Sequence, residues 1–134
     1  MSKKNVFWGL VACLALAAGA TGIHAGAGNG RTLAITMTND ADANAIKVYD
    51  ADTRTLLQTL STHGKGGVTG NARGIRQLDG HLVAVVNSGS NNVALFRRDG
   101  NALRFDQLLQ TTSAPVSVDF ANDHLYVAGA TTVD

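Results

Sequence analysis

The sequence predicts an all-β fold, and three observations carry that expectation. All 10 acidic residues are Asp and none is Glu, while Gly occurs 15 times; Glu favours helix interiors, whereas Asp and Gly favour turns. Val, Leu, Thr and the aromatic residues gather in short runs bounded by Asn, Asp and Gly, which is the patterning of strands and tight turns. Finally, one unit is written twice. Leu33–Leu56, "LAITMTNDADANAIKVYDADTRTL", and Leu82–Phe105, "LVAVVNSGSNNVALFRRDGNALRF", pass through apolar strand, polar turn and apolar strand in the same order.

Residues 1–25 are expected to be an export signal peptide, with a helical apolar stretch, and are set apart from the fold. Lys3 and Lys4 form a basic start, an uncharged apolar run covers 6–18, and Ala18-Gly19-Ala20 and Ala25-Gly26-Ala27 both satisfy the A-x-A cleavage rule, which puts the cut between 20 and 27. A retained anchor is the alternative, disfavoured because a spanning helix needs about 20 apolar residues. Cys13, the single cysteine, lies inside the run. Leu10-Val11-Ala12-Cys13 resembles a lipid-attachment motif, but the apolar run continues to Ala18, which favours a plain apolar filler. A disulfide framework is excluded, and the expected location is exported, periplasmic or extracellular, with no membrane span after cleavage. Loss of Lys3 and Lys4 from 11 cationic side chains leaves the rest nearly balanced against 10 Asp, so nucleic acid is not an expected partner.

From residue 26 onward each element follows from local chemistry. Leu33–Met37 is an apolar strand; the Asn, Asp and Ala run after it is a turn; Ala45–Tyr49 and Leu56–Leu60 are the next strands. In the second copy Arg73–Leu78 precedes Leu82–Asn87, and Asn92–Arg97 repeats Ala45–Tyr49, with Val93, Leu95 and Phe96 in the places of Ile46, Val48 and Tyr49. Asp99-Gly100 signals a tight hairpin into Leu103–Leu109. Val116–Phe120 and Leu125–Ala128 open a third copy, with Asp134 expected in a loop.

A period of about 43 to 49 residues, with four short antiparallel strands per unit, is that of a β-propeller blade. A sandwich would also give short strands but would not repeat side chain and turn together. Residues 26–134 then hold about two and a half blades, the first lacking its innermost strand, whereas closed propellers have about four to eight. The expectation is the N-terminal portion of a longer propeller, completed by further blades of the same protein or by self-association.

Three segments, "TMTNDADANAIKVYDADT", "VVNSGSNNVALFRRDGNAL" and "SAPVSVDFANDHLYVAGA", carry a family resemblance. They resemble the seven-bladed propellers of the lactonase-like group, which includes 6-phosphogluconolactonase-type and carboxymuconate-cyclase-like proteins with YVTN-type repeats. The resemblance covers about Thr32–Asp134, and it implies the fold more than an activity. If the protein is an enzyme, the implied reaction is lactone hydrolysis; the alternative is a non-catalytic propeller acting as an extracytoplasmic binding or protein-interaction platform.

Most motifs fail on inspection. Asp40-x-Asp42-x-Asn44 opens like a calcium loop, but Ala45 stands where the turn Gly belongs and Ala51 where the bidentate Glu belongs, so no metal site is expected. "GKGGVTG" at 64–70 is neither a dinucleotide fingerprint nor a P-loop, and no cofactor is expected. His81 and His124 occupy equivalent places in consecutive copies, which suits a scaffold role. The one segment that does not repeat is "STHGKGGVTGNAR" at 61–73, an insertion with His63, Lys65, Thr69, Asn71 and Arg73 beside an inner strand. Lys65, Asn71 and Arg73 are candidate ligand-binding residues for a carboxylate, phosphate or lactone, and His63 is the candidate catalytic acid or base. The alternative for the insertion is a glycine loop whose charges keep it soluble.

Overall fold

The structure, a computed structural model, describes residues 30–67 and 72–134. The expected export signal at 1–25, Cys13 within it, and Thr69 and Asn71 of the insertion lie outside those residues. No helix among the described residues is long and apolar enough to cross a membrane.

The described residues form nine strands in three antiparallel sheets. The first sheet is β1 (Leu33–Met37), β2 (Ala45–Asp50) and β3 (Leu56–Ser61). The second is a four-stranded meander of β4 (Ile75–Leu78), β5 (Leu82–Asn87), β6 (Asn92–Asp99) and β7 (Ala102–Gln110). The third pairs β8 (Pro115–Ala121) with β9 (His124–Gly129). The described residues are all-β, as the composition predicts, with no closed barrel among them.

The sheets stack in chain order. Ile46 and Val48 of the first sheet pack with Val83, Val85, Ala94, Phe96 and Leu103 of the second. From the other face of the second, Ala84, Val86, Val93 and Leu95 pack with Val118 and Val127 of the third. Strands β5 and β6 are therefore apolar at consecutive positions, because both of their faces are covered. Strand β2 alternates buried and half-buried residues, because only one face of its sheet meets a neighbour among the described residues. Each fully buried Val, Ile or Phe in these clusters contributes about 1.5–3 kcal/mol through apolar burial.

The repeat extends to its irregularities. The β2–β3 ladder slips between Val48 and Tyr49, and the β6–β7 ladder slips between Leu95 and Phe96, at equivalent positions. Such a bulge adds one residue to one strand and sharpens the local twist. In the second sheet the extra residue is Asp106, which pairs with Arg97 at 3.0 Å.

Three local expectations need correction. The hairpin after β6 turns on Gly100 and Asn101, because Asp99 still pairs with Ala102; Gly100 alone of the two takes a positive φ, +60°. Strand β4 begins at Ile75 rather than Arg73, whose φ of +59° is incompatible with a ladder. The segment after β9 does not end in an open loop. Ala128 bridges Val133, and Val127 and Asp134 exchange backbone hydrogen bonds of 2.9 Å, so the chain turns back along β9.

Candidate functional site

One end of the stacked sheets gathers the chemically interesting loops. The insertion leaves β3 and lies against the β1–β2 loop: Asn44 N–H donates to the Gly64 carbonyl at 2.9 Å, and Gly66 N–H to that of Asp40 at 2.7 Å. On its other side Gly89 N–H donates to the Lys65 carbonyl at 2.9 Å, and Lys65 N–H to Ser90 Oγ at 2.7 Å, both within the 3₁₀ turn Ser88–Ser90. Glycine is required here by close approach. A Cβ on Gly64 would lie 2.4 Å from Asn87 Nδ2, and one on Gly66 would lie 2.6 Å from the backbone of Asn39.

Beneath these loops lies a buried polar knot. Asn87 Oδ1 accepts from Asn44 Nδ2 at 2.9 Å and from Thr62 Oγ1 at 2.7 Å; Asn87 Nδ2 donates to Asn92 Oδ1 at 2.8 Å and to the Thr62 carbonyl at 3.2 Å. All four residues are buried, and among the described residues no buried side-chain N or O lacks a partner. Such a network is stabilising only when complete, because each orphaned group retains its desolvation penalty.

Above the knot is a recess of about 290 Å³ lined by Asp42, Ser61, His63, Gly64, Lys65 and Ser90. His63 holds a left-handed φ of +57°, its N–H donates to Ser61 Oγ at 3.0 Å, and its ring meets the edge of Phe105 at 4.4 Å. Phe105 in turn stands edge-to-face on the buried Phe96 at 5.9 Å, so the imidazole is steadied from the core outward. The Lys65 main chain is fixed by its two backbone bonds, and its side chain is exposed at the recess.

Arg73 is placed elsewhere. Its guanidinium pairs with Asp119 at 3.2 Å, its carbonyl accepts from Val118 N–H at 3.1 Å, and it does not line the recess. Arg76 holds the other oxygen of Asp119 at 3.0 Å. The hydrogen bond from Arg76, then that from Phe120 N–H, and the two cationic charges hold the Asp119 carboxyl below the usual carboxylate range. The structure thus brings His63 and Lys65 together, gives Arg73, just ahead of β4, to an ion pair with Asp119 of β8, and Asn71 lies outside the described residues.

The remaining candidates make local hydrogen bonds. Asp40 accepts the N–H groups of Asp42 and Ala43 at 2.9 Å each, and these bonds, Ala43 first, lower its pKa; the loop is an Asx turn. No group of three or more metal-ligating side chains occurs among the described residues. His81 N–H donates to the Leu78 carbonyl at 2.9 Å, and His124 Nδ1 lies 2.7 Å from the Asn122 carbonyl oxygen, both at hairpins on the opposite end of the sheets.

Sequence reasoning missed the residues that organise this end. Asn87 and Asn92 end and begin the two strands expected around a polar turn, but nothing in the sequence pairs them with Asn44 and Thr62 more than 20 positions away. No family model, no curated protein and no solved structure matches this chain.

Proposed function

We propose that this chain contributes consecutive blades of an exported, lactonase-like β-propeller, and that it works as a binding platform for a small hydroxycarboxylate. Support for blades comes from the four-stranded second sheet, its burial on both faces and the bulge repeated in its neighbour. Export rests on the pattern of residues 1–25.

The observation that carries the ligand class is the donor set of the recess. Ser61 Oγ and Ser90 Oγ each accept a loop N–H, which leaves both hydroxyl protons to donate outward beside the Lys65 ammonium. Two hydroxyls and an ammonium lining one recess favour a carboxylate, and Asp42, which also lines it, can accept from a ligand hydroxyl. A binding role is favoured over catalysis because the His63 ring is packed on Phe105, with no carboxylate hydrogen-bonded to it among the described residues, and Arg73 is engaged by Asp119.

Lactone hydrolysis is the second reading, favoured by His63 and Lys65 sharing one recess. His63 would then take the proton of the attacking water, and Lys65 with the two hydroxyls would hold the oxyanion.

Calorimetric titration of the full chain with gluconate, beside Lys65→Ala, separates the possibilities. The proposal predicts binding that weakens about tenfold on loss of one charge-assisted bond. Equal binding by both proteins would remove the recess from consideration. Opening of gluconolactone above the uncatalysed rate, abolished in His63→Gln, would establish the hydrolase reading instead.

A further inference from the structure

Two further clefts lie away from that recess, along the free edge of β1. One, of about 240 Å³, is lined by Leu33, Ile35, Ile75, Arg76, Gln77 and Val83. A second, of about 480 Å³, continues past Leu33 to Arg31 and Arg98.

The second sheet shows what such a space accommodates. Its β5 is the equivalent of β1 and carries β4 on this edge, with Ile75 opposite Val85, Gln77 opposite Val83 and Leu78 opposite Leu82. In β1 the Thr32 carbonyl and the Thr38 N–H bond toward β2. By the alternation of an antiparallel ladder, the N–H and C=O groups of Leu33, Ile35 and Met37 point the other way, into the cleft. No described residue pairs with them. Their side chains already pack on the core shared with the second sheet, so the edge is rigid and its groups are pre-aligned.

Charge decides what kind of strand fits. At the lower end the Arg98 guanidinium donates to the carbonyls of Gly100 and Arg31, at 2.8 and 2.6 Å, and has no carboxylate partner among the described residues. Arg31 beside it has Asp50 at 3.6 Å, whose carboxylate is buried and already accepts the N–H groups of Asp52 and Thr53. Beside Leu33 and Ile35 the cleft therefore offers apolar Ile75 and Val83 together with Gln77 and the Asp119-paired Arg76, and beyond them it is cationic.

We propose that the β1 edge binds an extended segment of a separate polypeptide as an antiparallel fourth strand, with apolar side chains opposite Ile35 and Leu33 followed by acidic residues that meet Arg31 and Arg98. Main-chain hydrogen bonds supply affinity in this mode, and the side-chain pattern supplies specificity. The antiparallel sense follows from β4 on β5 and places the acidic residues at the C-terminal end of the segment.

The test uses the full chain and a blocked heptapeptide, Gly-Thr-Val-Thr-Val-Asp-Asp. The expected result is saturable binding that slows exchange of the Leu33, Ile35 and Met37 amides, is lost when both valines are N-methylated, and weakens about tenfold in Arg98→Ala or when lysines replace the aspartates. Unaltered binding by the N-methylated peptide, or no binding at all, overturns the proposal. Two other outcomes also overturn it: binding only after deletion of residues 1–29 gives the edge to this chain's own N-terminal segment, and amides protected without peptide in a sedimenting dimer give it to a second copy.

Discussion

Asn87 and Thr62 hold each other twice: Thr62 Oγ1 donates to Asn87 Oδ1 at 2.7 Å, and Asn87 Nδ2 donates to the Thr62 carbonyl at 3.2 Å. The pair ties the end of β3 to the end of β5, across the boundary between the first two sheets. Asn87→Ala leaves Asn92 Oδ1 without its donor and opens a buried polar void. The expected cost is about 1–3 kcal/mol, read as a lower urea midpoint with an unchanged slope. A midpoint within error of the wild type would mean that apolar stacking alone joins the sheets.

Gly64 and Asn87 form a coupled pair, because a Cβ on Gly64 would overlap the Asn87 amide. Gly64→Ala should destabilise by about 1–3 kcal/mol through overpacking. Combined with Asn87→Ala it should cost less than the two single changes together, since shortening Asn87 makes room. Additive losses in a double-mutant cycle would show that the clash is absorbed elsewhere.

Gly100 tests the hairpin by strain alone, since its φ is +60° and nothing lies within 4 Å of its Cβ position. Gly100→Val should lower stability by about 1–3 kcal/mol, while Gly100→Asn, which tolerates positive φ, should lose less. Thermal melts of the two variants give the comparison; equal loss in both would point to side-chain bulk rather than backbone conformation.

Acid should weaken the fold with a definite sign. The carboxyls of Asp40, Asp50, Asp119 and Asp134 all titrate below their ordinary range: backbone N–H groups, those of Ala43 and Thr53 first, hold Asp40 and Asp50, while Arg76 holds Asp119 and the Thr112 hydroxyl holds Asp134. Between the folded value and the unfolded one near 3.9 the unfolded chain binds more protons, so this stability is complete above about pH 5 and is lost as pH falls through the folded values. Urea midpoints measured from pH 7 to pH 2 should be flat and then fall, with a shallower fall in Asp119→Asn. A midpoint rising toward acid would contradict the assignment.

Much of the strand order was legible because it rests on local chemistry. Leu33–Met37 and Leu82–Asn87 have the same bounds in sequence and structure, since each apolar stretch ends at a run of small polar turn residues. The consecutive apolar run Val83–Val86 likewise signals a sheet covered on both faces. What could not be read is the distant pairing. Arg73 looked like a free cation because Asp119, its partner, lies 46 positions on. The glycines of the insertion suggested slack, whereas Gly64 and Gly66 serve close packing against Asn87 and Asn39. Lys65 kept its place at the recess because its neighbours Ser61 and His63 share its loop, so that part of the site was local.

The central claim is that the repeats stack face to face, covering the second sheet on both sides and leaving β1 as an open edge among the described residues. Site-resolved hydrogen exchange on the full chain tests it most directly. The account predicts slowest exchange at Val83–Val86 and Val93–Phe96, and fast exchange at Leu33, Ile35 and Met37 beside slow exchange at Thr36 and Thr38. Equal protection of β1, β5 and β6, or odd and even positions of β1 exchanging alike, would contradict it.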